Sequence, residues 1–374
     1  MRRCLSFIVC LMLVAAALGS AHAAGYRTAI GSGADQVTVV VLSGTPYEMG
    51  QTYGQLMAPE IKATLASYIN AVRAQAGPLA SDAALDQAWE TVKPYVNQRF
   101  VEEMRGLADG AGVDYDLVRR EHCLSLLMPY ACSGIAVWGG ASANGHLYQI
   151  RNLDFGTDLG LQQYPVISVY LPQTGVAHAN VGFAGYVGSM AGMNAEGIAL
   201  TEKGATPQNE MPYALQGIPF FVLFRDILQD AHSLSEATKM IQDAKRHKKY
   251  YYVVGDGDDL KAVKIRAFAP GLDIWTDNDP KDELMPKVMQ NAVYVTMDDD
   301  ACWADLHKNY GKYDAQKMIE LSRMVHGGDN LMNVVYDATA REMWIAYAEG
   351  SQGAYEREYV HFKLNDYQSP EPQK

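Results

Sequence analysis

The sequence predicts an α+β fold in which helices pack on layered sheets. Three observations carry this prediction: a helical segment comes first, short apolar strands separated by Gly and Asn turns follow, and helix pairs with further strands complete the chain. This pattern favours segregated helices and sheets over a doubly wound parallel sheet. No Pro- or Ser-rich linker divides the 374 residues, so we predict one compact domain.

Helices are predicted from Thr45 to about Leu117. In the two halves of this segment, residues 46–77 and 81–112, apolar residues recur at three- and four-residue spacing. Both halves end in Gly, a favoured helix stop, and Ser81 can cap the second half with its side-chain oxygen. We therefore expect the first third of the chain to be helical.

Short strands dominate the chain after Cys132. The runs "SGIAVWGG" and "HLYQIRNLDF" flank Asn144-Gly145, a pair typical of hairpin turns. Further apolar runs, "PVISVYL", "VAHANVGF", "GSMAGMN" and "GIALTEKG", continue the series. Helical spacing returns in "PFFVLFRDILQDA", "SLSEATKMIQDAKR" and "DAQKMIELSRMV", and the remaining strands lie around the last of these.

The first 23 residues have the features of a secretory signal peptide. Arg2 and Arg3 precede a short apolar run, and the small residues "SAHA" end at Ala23. A membrane anchor is the alternative, but the run is short for a spanning helix and a cleavage pattern follows it directly. We therefore expect a secreted or periplasmic protein without a membrane span.

The charge of the chain argues against nucleic acid as a partner. The sequence holds 31 Lys and Arg against 43 Asp and Glu, a net charge of −12. Surfaces that bind nucleic acid or anionic membranes need clustered Lys and Arg. The histidines show no HxxxH or HxH spacing, so no metal site is expected, and no cofactor is predicted.

The cysteine count leaves at least one thiol unpaired within the chain. Beyond the signal segment the sequence contains Cys123, Cys132 and Cys302, an odd number for an exported protein. A disulfide between Cys123 and Cys302, with Cys132 as a buried filler, is one account. The other account is that Cys132 is a reactive thiol.

Cys132 stands at the start of a predicted strand, in "PYACSGIAVWGG". If the peptide bond before it is cut, this residue carries both a thiol and a free α-amine, whose ordinary pKa lies near ~8. One residue then supplies both nucleophile and base, as an N-terminal Thr does elsewhere. The small neighbours Ala131, Ser133 and Gly134 leave room for a substrate.

Two charged residues lie on the strand predicted to pair with that of Cys132. Arg151 and Asp154, in "RNLDF", are three residues apart, so a regular strand points them to opposite faces. A turn or bulge near Asn152 is then needed to bring both to one site. There Arg151 would lower the pKa of the thiol and Asp154 would hold the terminal ammonium. A surface ion pair at a strand end is the alternative.

These motifs together resemble a known family. Cys132-Ser133-Gly134 followed by "NGHLYQIRNLDF" is similar to the nucleophile segment of the autoproteolytic cysteine acyltransferases and hydrolases typified by acyl-CoA:isopenicillin N acyltransferase. That family is related to choloylglycine hydrolases and acid ceramidases among the N-terminal-nucleophile hydrolases. "GTPYEMGQTYGQLM" and "VEEMRGLADGAGVDYDLV" resemble its pro-segment, "AGMNAEGIALTEKG" its central hairpin, and "DNLMNVVYDATAREMWIAYA" its closing strands. The resemblance covers roughly residues 44–364 and implies a four-layer αββα core.

The resemblance also implies roles for individual residues. Cys132 matches the nucleophile, exposed by self-cleavage after Ala131, and Arg151 and Asp154 match the pair beside it. Glu202, in "ALTEKG", resembles the carboxylate that ceramidase-type relatives use to assist cleavage. A solvated hairpin charge is the alternative interpretation of this residue.

The sequence departs from the family at the oxyanion contact. Relatives commonly place an oxyanion-stabilising Asn in a late "TNH"-like motif, which is absent here. Asn291 in "MQNAVYV", at a predicted strand start, is the preferred candidate, and Asn278 in "WTDNDP" is the other. A backbone N–H can supply part of such a contact. The "GGDN" run, residues 327–330, is interpreted as a turn.

By this resemblance the chain is expected to be an exported, self-cleaving amide hydrolase or acyltransferase. Residues 24–131 would form the small chain, residues 132–374 would form the catalytic chain, and the two would stay associated. The substrates would be small-molecule N-acyl amides or peptides, attacked through a thioester acyl-enzyme. Two alternatives stand beside this one: a secreted binding protein that kept the fold without the chemistry, and a thioesterase or phospholipase-like esterase.

Overall fold

The architecture is taken from a computed structural model of the chain. The predicted signal peptide, residues 1–23, lies outside the described residues. No helix in the described part of the chain is long and apolar enough to cross a membrane. The described ranges are 24–127, 130–204, 215–269, 271–284 and 287–372.

Helices form the two outer layers of the molecule. In the described ranges they are α1 Pro46–Leu56, α2 Ala58–Ala76, α3 Asp82–Val92, α4 Gln98–Ala111, α5 Tyr115–Leu127, α6 Phe220–Asp230, α7 Leu234–Asp243, α8 Asp299–Lys308 and α9 Ala315–Met324.

Strands form the two inner layers. They are β1 Ala24–Ile30, β2 Val37–Gly44, β3 Ala131–Gly139, β4 Gly145–Asp154, β5 Pro165–Pro172, β6 His178–Phe183, β7 Ala191–Asn194, β8 Ile198–Gly204, β9 Lys249–Asp256, β10 Lys261–Phe268, β11 Gly271–Trp275, β12 Ala292–Val295, β13 Asn330–Asp337, β14 Glu342–Tyr347 and β15 Val360–Lys363. One sheet has nine strands in the order β1-β2-β5-β6-β7-β8-β9-β10-β11. The other has six strands in the order β12-β3-β4-β13-β14-β15.

The two sheets pack face to face between the helix layers. A Cβ on Gly134 of the six-stranded sheet would lie 2.8 Å from the Thr201 methyl group of the nine-stranded sheet. The Gln149 amide donates across the same gap to Thr201 Oγ1 at 2.8 Å. Helices α1, α6 and α7 contact the nine-stranded sheet, whereas α8 and α9 contact the six-stranded sheet. The predicted four-layer αββα fold is confirmed.

The segment before Cys132 is not helical throughout. It also contributes β1 and β2, two strands that the sequence prediction lacks. β2 lies inside the nine-stranded sheet, where it pairs in parallel with β5 and antiparallel with β1. Residues 39–42 are fully buried, as expected for an apolar, β-branched run that is covered on both faces.

Each half of the predicted helical segment is divided into two helices. The first half breaks at Met57, immediately before α2 begins with Ala58 and Pro59. The second half breaks before α4, where Lys93, Pro94 and Tyr95 form a short 3₁₀ turn. A proline inside a helix removes a hydrogen bond and clashes with the preceding turn, so the helix ends near it.

The disulfide account of the cysteines is wrong. Cys123 lies in α5, in the helix layer over the nine-stranded sheet, whereas Cys302 lies in α8, over the six-stranded sheet. The two sheets separate them, which is far beyond the reach of a disulfide. Cys123, Cys132 and Cys302 are all buried free thiols.

Candidate active site

A regular hairpin brings the predicted nucleophile next to its charged neighbours. β3 and β4 pair antiparallel, with Ala131 opposite Asp154, Cys132 opposite Leu153 and Gly134 opposite Arg151. Because side chains alternate along a strand, Cys132 and Arg151 point from one face, toward the nine-stranded sheet, and Asp154 points from the other.

The prediction of a turn or bulge near Asn152 is wrong. The register between β3 and β4 runs without interruption from Ala131 to Val137. The irregularity lies instead in the neighbouring strand β13, between Asn330 and Met332, where β13 passes Asp154. Arg151 and Asp154 therefore stay on opposite faces and approach Cys132 from two sides.

A buried triad of Cys132, Arg151 and Glu202 lies between the sheets, and all three side chains are fully buried. Arg151 Nη1 donates a hydrogen bond to Cys132 Sγ at 3.0 Å. The thiol faces Glu202 Oε2 at 4.0 Å, and Arg151 Nη2 lies 3.6 Å from the same carboxylate oxygen. β3 and β4 supply the first two residues, and β8 of the opposite sheet supplies Glu202.

Arg151 is held in place by backbone carbonyl groups. Its Nε donates to Met190 O at 3.0 Å, and its Nη1 donates to Asn152 O at 2.7 Å. Its Nη2 is buried and has no hydrogen-bond acceptor among the described residues. The guanidinium thus keeps donor capacity for a negative charge that develops beside the thiol.

The environment of Cys132 favours the protonated thiol. Burial raises the pKa of Cys132 to about 12, although the Arg151 cation lowers it. The predicted effect of Arg151 on the thiol therefore has the right direction, but burial outweighs it. A thiol in this environment needs a partner that takes its proton before it can act as a nucleophile.

Glu202 is placed to exchange that proton. Burial raises the pKa of its carboxyl to about 7, while Arg151 lowers it. The alternative interpretation, a solvated hairpin charge, is wrong because the side chain is fully buried within β8. A carboxyl group that titrates near neutrality beside a thiol is suited to general acid–base catalysis.

The raised pKa of Glu202 predicts a stability that depends on pH. Because the folded chain binds this proton more tightly than the unfolded chain, the stabilisation is complete below pH 4.5 and is lost as pH rises through about 7. Over that range the free energy of unfolding should fall by roughly 3 kcal/mol more with Glu202 than with Glu202→Gln. Urea unfolding from pH 4 to 8, with both side chains compared in a Cys132→Ala background, measures this difference. Equal pH profiles would contradict it.

Asp154 is held by the turn that the sequence analysis singled out at residues 327–330. Asn330 Nδ2 donates to Asp154 Oδ1 at 2.9 Å. The backbone N–H of Gly327 faces the carboxylate and lowers its pKa, but burial raises that pKa more. Asp154 Oδ2 is buried without a hydrogen bond of normal geometry among the described residues. Asp154 itself lies opposite Ala131 in the β3–β4 ladder.

Asn291 does not belong to this site, so its predicted oxyanion role is wrong. Its carbonyl accepts from the Trp138 N–H at 3.1 Å, at the far end of β3, about 20 Å from Cys132 by strand geometry. The residue has a positive φ of 56° and immediately precedes β12, a turn position that Asn tolerates. Asn278, the other candidate, lies at the same end, where its N–H donates to Met289 O.

Another part of the same segment reaches the strand of Cys132. Val295, the last residue of β12, pairs with Gly134, so Thr296 and Met297 continue toward Cys132. The Met297 N–H donates to Ser133 Oγ at 3.2 Å, and Ser133 Oγ donates to Val325 O at 2.6 Å. Ser133 thereby connects β3 to the segments that follow β12 and α9, a role that the sequence did not reveal.

The other amides beside the site are occupied. Asn152 Nδ2 donates to Ser322 O at 2.8 Å, and Asn330 Nδ2 donates to Asp154 and Asn333. Among the described residues, Arg151 Nη2 is therefore a donor of the triad that is left for an oxyanion.

An apolar cavity of about 20 Å³ adjoins Arg151. This is the space of about one water molecule. Its walls come from both sides of the predicted cleavage point and include Tyr68, Tyr130, Leu153, Phe155, Met190 and Phe220.

Comparisons with known proteins agree with the predicted resemblance. Residues 141–270 match the family model of acyl-coenzyme A:6-aminopenicillanic acid acyl-transferase. The match contains Arg151, Asp154 and Glu202 and begins shortly after Cys132.

Relatives extend the likeness over most of the chain. The sequence is 26% identical to protein dcd1A of Dictyostelium discoideum, with 90% of this chain and 87% of that protein aligned. It is 25% identical to dcd1B of the same organism, with 93% and 77% aligned. Among solved structures, the Caenorhabditis elegans N-acylethanolamine-hydrolyzing acid amidase ortholog has a TM-score of 0.46 and 15% identity, covering 61% of this chain and 98% of its own. The chain is thus similar to the acyl-coenzyme A:6-aminopenicillanic acid acyl-transferase family, as its sequence predicts.

Proposed function

We propose that this protein is a self-cleaving N-terminal-cysteine amide hydrolase or acyltransferase. The observation that carries the proposal is the buried triad, in which the thiol at the start of β3 lies 3.0 Å from a guanidinium and 4.0 Å from a carboxyl group of pKa about 7. The family match supports acyl transfer as the class of chemistry. The residues proposed to act are Cys132, Arg151, Asp154 and Glu202.

The first reaction is cleavage of the chain itself. Glu202 takes the proton from Cys132, and the sulfur attacks the carbonyl carbon of Ala131. Arg151 Nη2 stabilises the negative charge on the carbonyl oxygen. The bond between Ala131 and Cys132 then breaks as its nitrogen gains a proton, which leaves a thioester. Water hydrolyses the thioester and releases a carboxylate on Ala131 and a free thiol on Cys132.

Cleavage of the chain changes which group acts as the base for the thiol. Cys132 gains an α-amine whose ordinary pKa, near ~8, is much closer to neutrality than that of the buried thiol. The carboxylate of Asp154, the residue that pairs with Ala131, accepts a hydrogen bond from this group and orients it. The amine then serves as the base for the thiol in each turnover, while Arg151 stays beside the sulfur.

Turnover repeats the same acyl transfer on an external amide. The thiol attacks the substrate carbonyl, the amine of the substrate leaves with a proton, and a thioester acyl-enzyme remains. Water or a second amine takes the acyl group and restores the thiol. Splitting one difficult displacement into two is the benefit of the covalent step.

The two pieces are expected to remain together after cleavage. Residues 24–131 contribute β2, whose pairing with β5 runs from Thr38–Val166 to Gly44–Pro172. Separation would break this parallel ladder and expose the fully buried residues 39–42 to water. We also propose export of the protein, because residues 1–23 have the signal-peptide pattern.

N-terminal sequencing of the purified protein tests the proposal. We expect two fragments that copurify, one beginning with Cys132 and the other with Ala24. A thiol-directed electrophile should label Cys132 stoichiometrically, and amide substrates should be turned over faster than matched esters. An intact chain that is neither labelled at Cys132 nor active on amides would contradict the proposal and favour a binding protein.

A further inference from the structure

We infer that the apolar cavity beside Arg151 is the acyl pocket of the mature enzyme, and that it takes an aryl-tipped acyl chain whose ring replaces the ring of Tyr130. This inference rests on the proposed function, because it assigns an acyl group to the same thiol. It goes further in stating the length and the chemistry of that group.

Tyr130 fills the cavity next to the proposed scissile bond. Its ring lies 6.5 Å from that of Phe155, edge to face, and 6.3 Å from that of Phe220. Tyr68 completes the aromatic wall, with its ring 6.4 Å from Phe155. Only about 20 Å³ of the cavity is open beside these rings, so no acyl chain fits while Tyr130 is in place.

The backbone of Tyr130 packs closely against β8, the strand that carries Glu202. A Cβ on Gly204 would lie 2.9 Å from the Tyr130 carbonyl oxygen and 3.3 Å from its ring, so only Gly permits this approach. Glu202 lies two residues earlier on the same strand, and the Tyr130 hydroxyl lowers the pKa of its carboxyl. The chain at Tyr130, the residue before Ala131, therefore runs along a fixed course from the thiol into the cavity.

Self-cleavage and turnover use the same thioester geometry. In self-cleavage the acyl group on sulfur is Ala131, and Tyr130 is its extension into the cavity. In turnover an external acyl group is attached to the same sulfur, with its carbonyl oxygen beside Arg151. The remainder of that acyl group consequently follows the path of Tyr130 once the cut has freed the end of the small chain.

The covalent structure of this path sets the length of the chain. Five atoms separate the Ala131 carbonyl carbon from the Tyr130 ring: Ala131 Cα and N, then Tyr130 C, Cα and Cβ. A 6-phenylhexanoyl group has the same five-atom spacing. The aromatic and aliphatic walls favour an uncharged tail, because burying a charge there without a partner is costly.

A series of fluorogenic amides with one common amine measures the preference. We expect kcat/KM for the 6-phenylhexanoyl amide to exceed that for the acetyl, phenylacetyl and 5-carboxypentanoyl amides at least about tenfold. Phe155→Trp, which narrows the pocket, should reduce this ratio several-fold, because the long aryl-tipped chain loses more contact space than the acetyl group does. Phe268→Trp, a matched change at the end of β10 and outside the cavity wall, should leave the ratio unchanged.

The outcomes separate this inference from the proposed function. If Cys132 is the first residue and is labelled, but the phenylacetyl or acetyl amide is preferred, the pocket assignment is wrong and the catalytic proposal stands. An unchanged ratio in Phe155→Trp, with normal labelling of Cys132, also overturns the assignment. If Cys132 is neither exposed by cleavage nor labelled, both fail.

Discussion

Cys132→Ala should leave the chain uncut and lower turnover of amide substrates at least about 10³-fold. The substitution removes the sulfur that accepts a hydrogen bond from Arg151 and faces Glu202, and alanine puts no nucleophilic atom in its place. The fold should survive, because loss of one buried sulfur leaves only a small cavity, costing about 1 kcal/mol. Electrophoresis of the purified variant and an amide assay measure the two effects.

Two other variants serve as controls for this result. Cys302→Ala removes an equally buried thiol that lies in the outer layer, so it should leave cleavage and turnover unchanged. Cys132→Ser keeps a hydroxyl, which is a poorer nucleophile near neutrality, so slow cleavage with little turnover is expected. If Cys132→Ala is cut and fully active, the thiol is not the nucleophile.

The layered fold was largely predictable because the relevant signals are local. Turn residues such as Asn144-Gly145 and the alternation of short apolar runs mark the β3–β4 hairpin, and the structure contains that hairpin. Strand β2 was not predicted. Its apolar run stands alone before the helical segment, with only β1 as a strand nearby in the sequence. Its parallel partner β5 begins more than a hundred residues later, so no local pattern indicates the pairing.

The candidate site was only partly predictable, for a similar reason. Cys132 and Arg151 lie on one hairpin, so their proximity follows from sequence spacing. Glu202 reaches them from the opposite sheet, and its burial depends on how the two sheets face each other. The error at Asn291 has the same origin: a strand start was identified correctly, but the antiparallel register of β12 places that start at the wrong end of β3. Such long-range register is fixed by packing, which a single sequence does not display.

Arg151→Met should lower self-cleavage and turnover about 10² to 10³-fold, the range associated with losing one oxyanion donor. The guanidinium is the cation in the triad, and it contacts the thiol at 3.0 Å. It also lowers the pKa values of Cys132 and Glu202. If Glu202 accepts the thiol proton, the cleavage rate rises with pH through about 7, and removal of Arg151 shifts this rise to higher pH. Time courses of freshly translated chain, followed by electrophoresis across pH 5 to 9, measure the shift.

Arg151→Met is expected to lower the stability of the fold as well as the reaction rates, so the two effects need to be measured separately. Removing one member of a buried ion pair costs about 3–5 kcal/mol, because the partner is left as an uncompensated charge. The double variant Arg151→Met with Glu202→Gln removes both charges, so it should regain most of the lost unfolding free energy and yet remain inactive. Arg151→Lys keeps the charge but has a single nitrogen in place of the Nε that reaches Met190 O and the Nη1 that reaches Asn152 O and the sulfur, so intermediate rates are expected. Recovery of activity in the double variant would show that Arg151 acts only on folding, and the proposed role at the oxyanion would be lost.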